Sequence, residues 1–179
     1  NVPNSLYEDK VSKNKTVNIH HLVAHHNKDR DGFVWTGHLN SSANGIINEG
    51  IGFEVLYVNP KLKLLAEELC TAVCKVSGLV NRGAKYRDNL GVLINTVEPA
   101  LIIEFGFVNS KKDVQLLEQH FDAICYAVAS ILAKAIGFTF VNSNADVSSQ
   151  IGYATTDEAK TFQLQTNQFT DMKKAEAAA

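Results

Sequence analysis

The feature that most constrains this chain is an alternation. Short runs of apolar and β-branched residues take turns with long stretches whose apolar residues recur every three or four positions. Residues 33–38, 51–57, 90–95 and 100–105 are the short runs, and their length and composition predict strands. Between and around them, Leu62, Leu65, Leu69, Val73 and Val76 mark one helical face, and Leu117, Phe121, Ile124, Val128, Ile131 and Leu132 mark another. Strands alternating with helices of this length call for an α/β fold: a mostly parallel twisted sheet flanked by helices on both faces, in three layers.

Local signals set the boundaries. Thr16 is placed to cap a first helix reaching about Lys28, with Ile19, Leu22 and Val23 on one side. Asn59 and Pro60 suit the start of the clearest helix and Gly78 its end. Ser110, with Asp113 three residues on, resembles a capping box, and Gly137 closes the helix that follows. The apolar period fades after Gly137, so we expect a domain over residues 1–137, a linker over 138–160, and a tail over 161–179.

Composition narrows the functional classes. Hydrophobic residues make up 45% and charged residues 20%, with a formal charge of -2. There is no basic field for nucleic acid or an anionic membrane. No apolar run approaches the ~20 residues that span a bilayer. Cys70, Cys74 and Cys125 lie within apolar helical patterns, an odd count that argues for buried free thiols and a reducing folding compartment.

Two polar residues stand in otherwise apolar strands. His38 ends the first, and Glu104 interrupts Leu101-Ile102-Ile103-Glu104-Phe105-Gly106-Phe107. Burying a carboxylate is costly unless it is paired, protonated or metal-bound, and burial raises its pKa towards the range of a general base. The ordinary alternative is a carboxylate neutralised by a buried arginine, and for His38 a satisfied core histidine. His21 and His25, spaced i, i+4 on the first helix, could clamp a metal ion, although a solvated helix face explains them as well. His120 reads as surface. There is no phosphate loop, no nucleophile elbow and no His-Glu-x-x-His segment.

These pieces together resemble the type 3 N-acetylmuramoyl-L-alanine amidase domain of bacterial autolysins and phage endolysins. Residues 33–40 (FVWTGHLN) are similar to the family strand ending in Ile-His-x-Asn. Gly52-Phe53-Glu54-Val55-Leu56-Tyr57 looks like its Gly-x-Glu-Val-x-Tyr strand, and Asn81-Arg82-Gly83-Ala84-Lys85 like its Asn-Arg-Gly turn. Residues 90–96 followed by Pro99-Ala100, and Ile103-Glu104-Phe105-Gly106-Phe107, resemble the two closing motifs. The resemblance implies a Zn2+ ion held by two histidines and a glutamate, with His38 as one ligand and Glu104 as general base. It implies peptidoglycan as partner, cut between N-acetylmuramic acid and L-alanine. It further implies action in the cell wall or outside the cell after release, or synthesis from a phage gene in the host cytoplasm. His26-Asn27 fits a helix-end pair of phage members, which gives His26 a structural role. The tail, with Phe162, Leu164, Phe169 and Ala175, resembles the opening of a sporulation-related peptidoglycan-binding repeat.

The family's first strand, which carries a histidine ligand, and the next helix, which carries the glutamate ligand, have no counterpart here. Glu49 falls after His38 and reads as loop. The resemblance therefore implies a segment preceding Asn1 that would cover an exposed sheet edge. The competing reading is a non-catalytic wall-binding or assembly protein on the same fold. A third, metal storage by His21 and His25, requires zinc binding that survives His38→Ala.

Overall fold

The computed structural model describes residues 14–28 and 33–138. The expected linker and tail lie outside the described residues, apart from Phe138. The elements in chain order are α1 (Lys15–His26), β1 (Val34–Asn40), β2 (Phe53–Tyr57), α2 (Lys63–Ser77), β3 (Asn81–Tyr86), α3 (Gly91–Asn95), β4 (Ala100–Phe107), α4 (Lys111–Gln119) and α5 (Phe121–Ala135).

The strands form one four-stranded sheet in the order β1-β4-β2-β3. β1 pairs with β4 and β2 with β3 in parallel, whereas β2 and β4 run antiparallel. One rim of the sheet therefore gathers the C-terminal ends of β1 and β4 with the N-terminal ends of β2 and β3. That differs from a purely parallel sheet, where a single rim collects only C-terminal ends.

Period-two alternation sends successive side chains to opposite faces. Phe53, Val55, Leu101 and Ile103 face α2 and α5, where Leu69, Val73, Ile124, Val128 and Leu132 complete the main core. Val34, Leu56, Ala100 and Ile102 face the other way, against Val92 and Leu93 of α3 and Leu22 and Val23 of α1. Helices on both faces give the three layers. At roughly 1.5–3 kcal/mol for each large side chain taken from water, the first face dominates the stability.

Several local expectations are corrected. Residues 90–95 form helix α3, not a strand; a short apolar run has no period long enough to separate the two. The strand lies at Asn81–Tyr86, in the segment read as a turn. It is an edge strand, polar and half-exposed, and so lacks the apolar signature. The first helix is capped by Asn14, whose side chain accepts from the Thr16 amide, not by Thr16. The last apolar helix is two helices broken at His120.

Other signals hold. Asn59 accepts from Lys61, Pro60 opens a 3-10 turn ahead of α2, and Gly78 ends α2 in the left-handed conformation. The Ser110 hydroxyl accepts from the Asp113 amide. Gly52 is required by close approach as well as by its φ of 109°: a Cβ there would collide with the Val80 carbonyl. Cys70, Cys74 and Cys125 are free thiols, Cys70 buried and the other two half-buried. Desolvation pushes the Cys70 thiol up to about 12 and the other two to about 11. Among the described residues no helix is long and apolar enough to cross a membrane.

Candidate active site

The alternation that builds the smaller core also builds the site. Val34, Thr36 and His38 follow one another on one face of β1, as Ala100, Ile102 and Glu104 do on β4, and Leu56 and Glu54 on β2. His38 and Glu104 are direct partners in the parallel ladder, and Glu104 and Glu54 are direct partners in the antiparallel one. Three ionisable side chains thus stand in a row on neighbouring strands, each strand ~4.8 Å from the next. The register then slips: Asn40 pairs with Phe107, so β4 carries one extra residue between Glu104 and Phe107. This bulge turns Phe107 onto the same face as Asn40 and Glu104.

Glu104 is half-buried, and its Oε2 is shielded from solvent with no hydrogen-bond partner among the described residues. Burial raises its pKa above the ordinary value of 4.5, and the neighbouring Glu54 carboxylate raises it further. A shielded oxygen without a donor costs roughly 1–3 kcal/mol or more.

His38 is exposed by surface area, yet the chain around it is dense enough for desolvation to lower its pKa from 6.5. The ring is therefore neutral at physiological pH, the form that ligates a metal. Its Nε2 lies 3.1 Å from the Thr36 hydroxyl, which fixes the ring, and its Nδ1 bonds to no described residue.

Glu54 is the site residue that sequence reasoning left in a motif without a role. It is buried, and its two oxygens are fully engaged. Oε2 accepts from Arg82 Nε at 2.7 Å with Lys85 Nζ at 3.7 Å, and Oε1 accepts from Asn40 Nδ2 at 3.2 Å. Arg82 donates its Nε to Glu54 and makes no hydrogen bond to Glu104, one strand over from Glu54.

The remaining candidates separate from the site. His20 and His21 are exposed on α1, while the His25 and His26 rings meet edge to face at 5.4 Å. Asn27, next to His26, joins α1 to the segment before β4: its amide donates to the Asn95 carbonyl and accepts from the Val97 amide. Glu49 is exposed in the loop, where its carbonyl accepts from Ser110. His120 caps the end of α4, far along the chain from β1.

A zinc site can be tested against this donor set. A neutral imidazole with a free nitrogen fits one ligand, and the orphaned carboxylate oxygen fits a base beside it. Among the described residues no group of three His, Cys, Asp or Glu could hold a metal ion, so the described part supplies only a portion of a full ligand set.

Comparison with known proteins agrees with this reading of the fold. The solved catalytic domain of an endolysin targeting Clostridia difficile superposes with a TM-score of 0.61 at 24% identity, covering 73% of this chain and 67% of that one. The N-acetylmuramoyl-L-alanine amidase from Clostridium difficile 630 gives a TM-score of 0.52 at 25% identity, covering 64% of each chain. An uncharacterized 38.4 kDa protein of Clostridium perfringens is 30% identical over 103 residues, which are 57% of this chain and 28% of that relative. This chain therefore spans well under two thirds of the curated relative it matches. The family model described as N-acetylmuramoyl-L-alanine amidase matches residues 7–136. With nearly three quarters of its length covered by that match, the chain belongs to the N-acetylmuramoyl-L-alanine amidase family.

Proposed function

We propose that this chain is the catalytic unit of a zinc-dependent peptidoglycan hydrolase, an autolysin or phage endolysin. It cuts the amide between the lactyl group of N-acetylmuramic acid and the L-alanine of the stem peptide. Residues 1–137 are part of that unit, which a preceding segment with the remaining zinc ligands completes, and the place of action is the cell wall. The observation that carries the proposal is the orphaned Glu104 oxygen beside the neutral His38 at one rim of the sheet.

In this mechanism His38 offers its imidazole as one metal ligand, held by Thr36. Zinc, when bound, supplies Lewis acidity at the scissile carbonyl and acidifies the attacking water. Glu104 removes one proton from that water as its oxygen bonds to the carbonyl carbon. It then delivers the proton to the departing nitrogen as the C–N bond breaks. The products are a lactyl carboxylate on the sugar and a free amine on alanine. The raised pKa of Glu104 suits both halves of the proton transfer, because it makes the carboxylate a stronger base towards water and lets it hold the proton until the leaving nitrogen takes it.

The reading is tested by metal analysis and hydrolysis together. We expect the full-length protein to bind zinc, and to release stem-peptide amines from peptidoglycan only in the zinc form. His38→Ala should weaken zinc retention by at least tenfold and abolish release. Zinc retention unchanged in His38→Ala would place the metal elsewhere, with His21 and His25 as the next candidates. Peptidoglycan binding with no release from the full-length protein would establish the wall-binding reading, for which the incomplete ligand set of the described residues is the supporting observation.

A further inference from the structure

The row of the site does not end at Glu54. On β3, the next strand over, Arg82 sits where the β2–β3 register slips, between the pairs Phe53↔Asn81 and Glu54↔Gly83, and Lys85 pairs with Leu56. Leu56 and Glu54 share the face of Glu104, and so does Lys85. Both cations reach towards one carboxylate, Glu54. Glu54 alone does not balance the two cations that reach it, and the other carboxylate of the row, Glu104, stands two strands away from Arg82.

The way Arg82 is held shows where its remaining donors are offered. Only Nε donates to Glu54, and the guanidinium lies over the Phe107 ring at 5.1 Å. Its two terminal nitrogens donate to no described residue, and the side chain keeps 32% of its surface exposed. A guanidinium fixed through Nε and an aromatic face, with its two-pronged edge open, is pre-organised for a second carboxylate. Lys85 Nζ, 3.7 Å from Glu54 and 39% exposed, is beyond hydrogen-bond distance and so free to add a point charge.

We propose that Arg82, supported by Lys85, forms a substrate subsite for a carboxylate on the peptide side of the scissile amide. This rests on the hydrolase reading above, since the position of the scissile bond sets the distance. From Glu104 on β4 to Arg82 on β3 is two strand spacings, roughly 10 Å. An extended peptide covers that span in about three residues at ~3.3–3.6 Å each. The carboxylate recognised is then that of the second residue of the stem peptide, and Glu54 is a positioning residue for Arg82.

The test reads binding, without turnover. Calorimetric titration of the full-length protein compares L-Ala-D-isoGlu-L-Lys with L-Ala-D-isoGln-L-Lys, both as C-terminal amides, so that they differ only in one carboxylate against a carboxamide. We expect the carboxylate peptide to bind roughly tenfold more tightly. Arg82→Gln should erase the preference, Arg82→Lys should keep part of it, and Lys85→Gln should reduce it by a smaller factor. If Arg82→Gln does not fold, the wild type and Lys85→Gln decide the matter. Equal binding of the two peptides by the wild type, binding of neither, or a preference intact in Arg82→Gln overturns the subsite. Because no bond is cut in this assay, a lost preference leaves the hydrolase reading standing. An intact preference in a protein that hydrolyses nothing would defeat that reading and keep the subsite.

Discussion

Glu104→Gln will lower kcat for stem-peptide release by about 10²–10⁴-fold while making the metal-free protein more stable at neutral pH. The first effect follows from removing the group proposed to carry the proton. The second follows from the same burial that prepares it. The folded-state pKa lies above the ordinary 4.5, raised by desolvation first and by Glu54 second. Between those two values the native state holds a proton that the unfolded chain has released, so wild-type stability falls as pH rises through that window. Glutamine carries no such charge. Thermal melts in chelator should therefore show a higher Tm for the variant at pH 7 and convergence of the two proteins below pH 4.5. A lower Tm for Glu104→Gln at pH 7 would mean that the carboxylate is satisfied in the native state.

Asp113→Ala will be the most damaging substitution outside the site. The side chain is fully buried, and its carboxylate takes three backbone amides: Ile51 at 3.0 Å, Gly52 at 2.8 Å and Phe107 at 3.0 Å. Its own amide donates to Ser110 at the start of α4. One residue thus ties the entry of β2, the end of β4 and a helix N-terminus, whose partial positive charge favours the carboxylate. Alanine leaves three buried donors unsatisfied at roughly 1–3 kcal/mol each. We expect a loss of about 3 kcal/mol or more in denaturant unfolding. Ser110→Ala, which removes the cap and the hydroxyl's bond to the Glu49 carbonyl, should cost about 1–2 kcal/mol. A loss under about 1 kcal/mol for Asp113→Ala would show that water replaces the carboxylate without penalty. The same knot fixes the backbone two residues before Glu54 and three after Glu104, so the site carboxylates depend on it for their register.

The fold was legible where burial imposed a period. α2, α5, β2 and β4 bury nearly everything on one or both faces, and their apolar patterns state it. β3 was not legible, because an edge strand that carries Arg82 and Lys85 has no reason to look apolar. α3 was misread because a five-residue apolar helix and a short buried strand have the same composition. His38 and Glu104 stood out because each is polar in an apolar strand, and strand register then brought them together across 66 positions of sequence. Glu54 carried the same signal, a lone carboxylate in an apolar strand, and was passed over as part of a motif. Its pairing with Arg82 depends on which strands are neighbours, and β3 had not been recognised as a strand. Asp113 shows in the sequence as the capping-box partner of Ser110, but its bonds to Gly52 and Phe107 are tertiary and leave no local trace.

We propose that one rim of this sheet, with His38 and Glu104 side by side, cuts a single kind of bond. Mass spectrometry of peptidoglycan treated with the zinc-loaded, full-length protein shows which bond is broken. The expected products are free stem peptides that begin with an L-alanine amine, alongside glycan strands that keep their full length and carry bare lactyl groups. New reducing sugar ends, or peptides cut within the stem or the cross-bridge, would contradict it.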